Sequence, residues 1–68
     1  MGTHKISPLD LEIGDIIKDV GEVTWLLDRG KYYTVVNVYL FEDGRVHHKA
    51  FSNDKEVEVI RENRNLSH

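Results

Sequence analysis

Two adjacent histidines, His47-His48, stand between Arg45 and Lys49 in a chain of 68 residues that has no cysteine. Imidazoles bind metals, but neighbouring residues of a strand point to opposite faces, so this pair cannot readily close on one ion. Glu42 or Asp43 could join His47, yet no spacing typical of a zinc site is present. The second group with chemical potential is acidic: Asp15, Asp19, Glu22 and Asp28. Paired carboxylates serve acid–base chemistry or hold calcium. Here Asp15-Ile16-Ile17 lacks an oxygen ligand at the third position of a calcium loop, and the acids fall at turns, where solvated carboxylates are ordinary. Ser7, Ser52 and Ser67 read as a capping, a loop and a tail residue. There is no glycine-rich phosphate loop and no arrangement of nucleophile, base and orienting group. The expectation is a protein with no catalytic residues, no metal and no cofactor, which is not an enzyme.

The remaining constellation joins rings and cations. Tyr33, Tyr39 and Phe41 precede Glu42-Asp43-Gly44, and Arg45, His47 and Lys49 follow it. Both flanks are rich in β-branched and aromatic residues, so the segment reads as a hairpin. Its register decides which side chains meet. A two-residue Asp43-Gly44 loop would put Val36, Val38 and Leu40 on one face with His47 and Lys49. A three-residue loop, with Gly44 left-handed in a bulge, sets Leu40 opposite Val46. The aliphatic face is then Val36, Val38, Leu40, Val46, His48 and Ala50. The second register sorts apolar from charged side chains better and is the one expected. It makes Val36, Val38, Leu40, Val46 and Ala50 core, joined by Trp25, Leu27, Ile17, Val57 and Val59, with Trp25 as the largest anchor. Tyr33, Tyr39, Phe41, Arg45, His47 and Lys49 then share the other face. Such rings can stack bases or hold peptide side chains, and the cations can pair phosphates or carboxylates. The same pattern also serves as plain packing, because cross-strand aromatic pairs stabilise a sheet.

The elements that would position these residues follow from the pattern. Residues 1–6 read as a flexible arm. Ser7-Pro8 is a helix-start pair, and Leu9–Ile13 allow one helical or 3₁₀ turn that Gly14 ends. Strands are expected over Asp15–Val20, Glu22–Asp28, Lys31–Phe41, Arg45–Phe51 and Glu56–Ile60, and residues 61–68 as a frayed tail. This gives one domain over 7–60, because so short a chain leaves no room for a second. A domain of this size buries only about 60% of its unfolded surface, which keeps association with a second copy in view. The net charge is −3, from 9 basic and 12 acidic residues, and argues against whole-molecule attraction to nucleic acid. No apolar run is long enough to span a membrane, and the start leads into no apolar signal region. These features, with the lack of cysteine, suit a cytoplasmic protein that does not engage membranes.

Leu11-Glu12-Ile13-Gly14-Asp15-Ile16-Ile17, Tyr33–Val38 and Glu42-Asp43-Gly44-Arg45-Val46 together resemble a small SH3-like barrel: an apolar-x-x-Gly-Asp turn into the first strand, then a strand ending in an acidic-Gly hairpin. The resemblance spans roughly residues 9–60. It implies an all-β fold, a five-stranded antiparallel barrel or rolled sheet with one short helical turn. It also implies binding rather than catalysis. The aromatic groove of the proline-peptide subclass has no Ala-Leu-Tyr-Asp-Tyr-like run here, and the loops are acidic or mixed where a nucleic-acid binder would carry a basic one. The chain is also similar in style to short accessory proteins of bacterial viruses. The expected function is a non-enzymatic interaction module that docks on a protein partner, or on itself, through Tyr33, Tyr39, Phe41, Arg45, His47 and Lys49. The alternative is nucleic-acid binding on that face, with Tyr39 and Phe41 stacking and Arg45 and Lys49 neutralising phosphate.

Overall fold

The computed structural model describes residues 2–61, so the expected tail 61–68 lies outside them except for Arg61, which belongs to the last strand rather than to a frayed end. Alternating β-branched and polar residues give an all-β chain. β1 covers Gly2–Ile6, β2 Ile16–Ile17, β3 Gly21–Arg29, β4 Tyr33–Leu40, β5 Arg45–Ser52 and β6 Val57–Arg61. All pairings are antiparallel, in one sheet of order β1-β6-β2-β3-β4-β5. The described residues therefore form six strands where five were expected. The extra one is the expected arm: Gly2–Ile6 carries a single aliphatic residue and no strand pattern of its own, but β6 offers it a ladder from Gly2↔Arg61 to Ile6↔Val57. Among the described residues the sheet does not close into a barrel, and β1 and β5 each keep one free edge.

The helical turn forms as its sequence directs. Ser7 Oγ accepts the Leu9 N–H at 3.2 Å, Pro8 opens the 3₁₀ turn Pro8–Asp10, and the turn ends at Leu11. It lays Pro8 and Leu11 over one face of the sheet, where Leu11, Ile17, Val23, Val36, Val38 and Val59 form the buried core. Ile6, Val20, Leu26, Leu40, Phe51 and Val57 pack around its margin. Two arginines fasten this cover. Arg29 donates to the Leu9 and Leu11 carbonyls at 3.0 and 2.7 Å, and Arg61 to the Asp10 carbonyl at 2.9 Å. Arg61 also grips Asp15 with two nitrogens, at 2.7 and 2.9 Å. Asp15 is 4% exposed and receives the Glu12 N–H as well. Its charge is thus matched by a bidentate cation, the arrangement that lets a carboxylate be buried at all.

Four members of the expected core are exposed. Trp25 is 59% exposed, Val46 53% and Leu27 44%, and Ala50 is exposed too. Two irregularities in β3 explain Trp25 and Leu27. Val23 faces Val38 but Trp25 faces Asn37, so one extra residue lies between them, and Leu27 is a second extra residue between Leu26↔Val36 and Asp28↔Val35. Each bulge shifts the face of everything after it. A strict period of two cannot see that shift. Val46 and Ala50 move for a different reason, which lies in the central hairpin.

Candidate docking surface

Gly44 is left-handed as expected, at φ +68°, but the loop holds four residues, Phe41–Gly44. The closing pair is Leu40↔Arg45, followed by Tyr39↔Val46, Val38↔His47 and Val36↔Lys49. Neither of the two registers read from the sequence occurs. The Gly44 N–H donates to the Leu40 carbonyl at 2.9 Å. Asp43 turns back into the strand: its Oδ1 accepts the Arg45 N–H at 2.9 Å, and its Oδ2 lies 2.7 Å from His47 Nε2. The hydrogen bond with His47, and after it the one from the Arg45 N–H, hold the Asp43 carboxyl below the ordinary carboxylate range.

This register overturns the shared face. Opposed residues of antiparallel strands project to the same side. Arg45, His47 and Lys49 therefore lie on the side of Val36, Val38 and Leu40, while Tyr33 and Tyr39 lie on the other with Val46, His48 and Ala50. Phe41 belongs to neither face; it opens the turn, 56% exposed, with its N–H on the Val20 carbonyl at 3.0 Å. His48, expected toward the core, is exposed. Thus the structure brings Tyr33 and Tyr39 together on one side and parts them from Arg45, His47 and Lys49. Arg45 and Lys49 are exposed even so, on a strand at the edge of the sheet.

The outer face gains a residue the sequence reading missed. Trp25 stands across from Asn37 on β3–β4, and Asn37 across from His48 on β4–β5, so the three form one row. Tyr33, at 58% exposure, and Tyr39, at 42%, extend the face along β4. Val46 adds an exposed aliphatic directly opposite Tyr39. The Asn37 Oδ1 atom within this row is buried and has no hydrogen-bond partner among the described residues. The signal that could have exposed Trp25 is the apolar run Trp25-Leu26-Leu27, which no alternating strand can bury whole.

At one end of this face Lys31, Tyr32, Tyr33, Ser52, Asn53 and Asp54 line an open cleft of about 460 Å³. Asn53 ties its walls: its N–H reaches the Tyr32 carbonyl, its Nδ2 the Gly30 carbonyl at 2.8 Å, and its Oδ1 accepts from the buried Thr34 hydroxyl at 2.7 Å. Lys31 Nζ sits 5.4 Å from the Tyr32 ring centre, a cation–π contact. These bonds join the β3–β4 and β5–β6 connections. Among the described residues no group of three potential metal ligands comes together, and no helix is long and apolar enough to cross a membrane. Compared with known protein families, curated proteins and solved structures, the chain finds no match.

Proposed function

We propose that this protein is a non-enzymatic interaction module, an SH3-like rolled sheet left open at both edges, that docks on a protein partner or a second copy of itself through its outer sheet face. The observation that carries the reading is the exposure of Trp25, Tyr33, Tyr39 and Val46 on one side of β3, β4 and β5. Large apolar side chains grouped on one surface of so small a domain leave water with a favourable free energy when a partner covers them. Tryptophan and tyrosine bring area at low entropic cost, the composition of energetic centres in protein interfaces. The separation of Tyr39 from Arg45 and Lys49 favours this reading over nucleic-acid binding, which needs rings and cations along one track.

The test compares the wild type with Trp25→Ser and Tyr39→Ser in sedimentation equilibrium and in affinity capture from the native host. The expected result is association, with itself or a captured protein, that both substitutions abolish while thermal stability stays within a few degrees. Equal behaviour of all three forms in both measurements rejects the proposal.

A further inference from the structure

β5 offers a second surface, and it lies at an edge. In the hairpin, the Leu40 carbonyl takes the Gly44 N–H just before β5 and the Tyr32 carbonyl takes the Asn53 N–H just after it, while the Asn37 carbonyl points the other way, toward Thr24 on β3. The direction of backbone groups alternates along a strand. Hence Leu40, Val38 and Val36 turn their backbone groups to β5, and His47 and Lys49 turn theirs back to β4, while the Arg45 N–H is taken by Asp43 Oδ1. Val46, His48 and Ala50 aim their N–H and C=O groups outward. Among the described residues no strand pairs with that edge.

The side chains of this edge strand are selective. From Arg45 to Asn53 there is no acidic residue, although the chain as a whole carries a net charge of −3. Arg45 and Lys49 share one side with His47, whose Nε2 already faces Asp43, and Val46 and Ala50 flank His48 on the other. We infer that the outer edge of β5 binds an extended acidic peptide by strand addition, with carboxylates opposite Arg45 and Lys49 and apolar residues opposite Val46 and Ala50. The inference rests on the reading of the protein as an interaction module and names the chemistry of the partner. The molecule already contains one such pairing. β6 and the residue before it alternate acid and aliphatic, as Glu56-Val57-Glu58-Val59, and β6 lies beside β1 with Glu58 opposite Lys5 and Val57 opposite Ile6. That strand is enclosed between β1 and β2, so a second copy cannot offer it. A second copy's β5 would bring like charges together, and β1, the other free edge, carries His4 and Lys5. A phosphodiester supplies acceptors but no donors, so it would leave the outward carbonyls of Val46, His48 and Ala50 unmatched.

The experiment titrates the isotope-labelled chain with a capped peptide of four Glu-Val repeats, a Lys-Val peptide of equal length, a Glu-block–Val-block peptide and a twelve-residue oligo-dT. Saturable shifts are expected at the Val46, His48 and Ala50 amides, with slowed hydrogen exchange there, for the Glu-Val peptide alone. Ala50→Pro removes an outward N–H, a position where an edge strand tolerates proline. It is expected to keep the fold and weaken binding by at least about tenfold, the scale of one or two lost interstrand hydrogen bonds with their geometry. Lys49→Glu, exposed and free of that backbone change, is expected to weaken the Glu-Val peptide and favour the Lys-Val peptide. Undiminished binding by both variants, equal binding of the Lys-Val peptide or oligo-dT to the wild type, or no shifts at millimolar peptide overturns the inference. The outer-face reading is judged separately, by Trp25→Ser, which leaves the β5 edge intact.

Discussion

Replacing Asp15 by Asn tests what holds the turn cover onto the sheet. Asp15 is 4% exposed and accepts three hydrogen bonds, from Arg61 Nε at 2.7 Å, Arg61 Nη2 at 2.9 Å and the Glu12 N–H at 2.9 Å. Asparagine keeps the shape but carries no charge, and its amide nitrogen must face either an arginine N–H or a backbone N–H, donor against donor. A hydrogen bond to a charged group contributes about 1.5–3 kcal/mol, and removing one partner of a buried pair costs about 3–5 kcal/mol when the other is left stranded. Arg61 is 33% exposed at its side chain, so it regains part of its hydration and the loss falls to about 2–3 kcal/mol. A chain of this length has a total stability of about 3–10 kcal/mol, and each kcal/mol shifts its midpoint by about 4–8 °C. The expected change is a fall in Tm of about 10–20 °C by circular dichroism. The same contact raises the Arg61 pKa, chiefly through its hydrogen bond with Asp15. A raised pKa gives stability that is complete below the unfolded value and is lost only above the folded one, so the arginine adds no pH dependence between pH 4 and 10. A cycle with Arg61→Met should show a coupling of at least about 1 kcal/mol. A midpoint within about 3 °C of wild type for Asp15→Asn, or additive single changes, would refute the argument.

Other outcomes follow from particular contacts. Because hydrogen bonds from His47 and the Arg45 N–H lower the Asp43 pKa, its contribution is present above the unfolded value and is lost as pH falls through the folded one. The wild type should therefore lose more stability than Asp43→Asn between about pH 4 and pH 2 in acid titrations followed by circular dichroism; parallel curves would count against this. Trp25→Thr should change stability by less than about 0.5 kcal/mol in urea, as at other exposed sites, whereas Leu11→Ala should cost about 2–5 kcal/mol by opening a cavity. The tryptophan emission should accordingly be that of a hydrated indole. Gly44→Ala places a side chain at φ +68° and should cost about 1 kcal/mol, while Gly21→Ala drives a methyl into the Tyr39 carbonyl and should cost more, both read by thermal unfolding.

The chain alone determined the class. β-branched residues in short runs, glycine and acidic turns, and a Ser-Pro start are local signals, and they placed β2 to β6 and the 3₁₀ turn within a few residues. Ile17, Val36, Val38 and Val59 were legible as core because each lies on a regular stretch of strand. The left-handed Gly44 was legible for the same local reason. What the tertiary structure alone decided is which side each strand presents. The bulges around Thr24 and Leu27 bend β3 against β4 and put Trp25 outside, and the four-residue loop that Asp43 ties back to Arg45 and His47 separates the tyrosines from the cations. β1 exists because β6 has an unpaired edge to give it, and Asp15 is buried because Arg61, 46 residues away, comes to meet it. A side chain's face changes with every inserted residue, and the energy that places the insertion comes from neighbouring strands rather than from the segment itself.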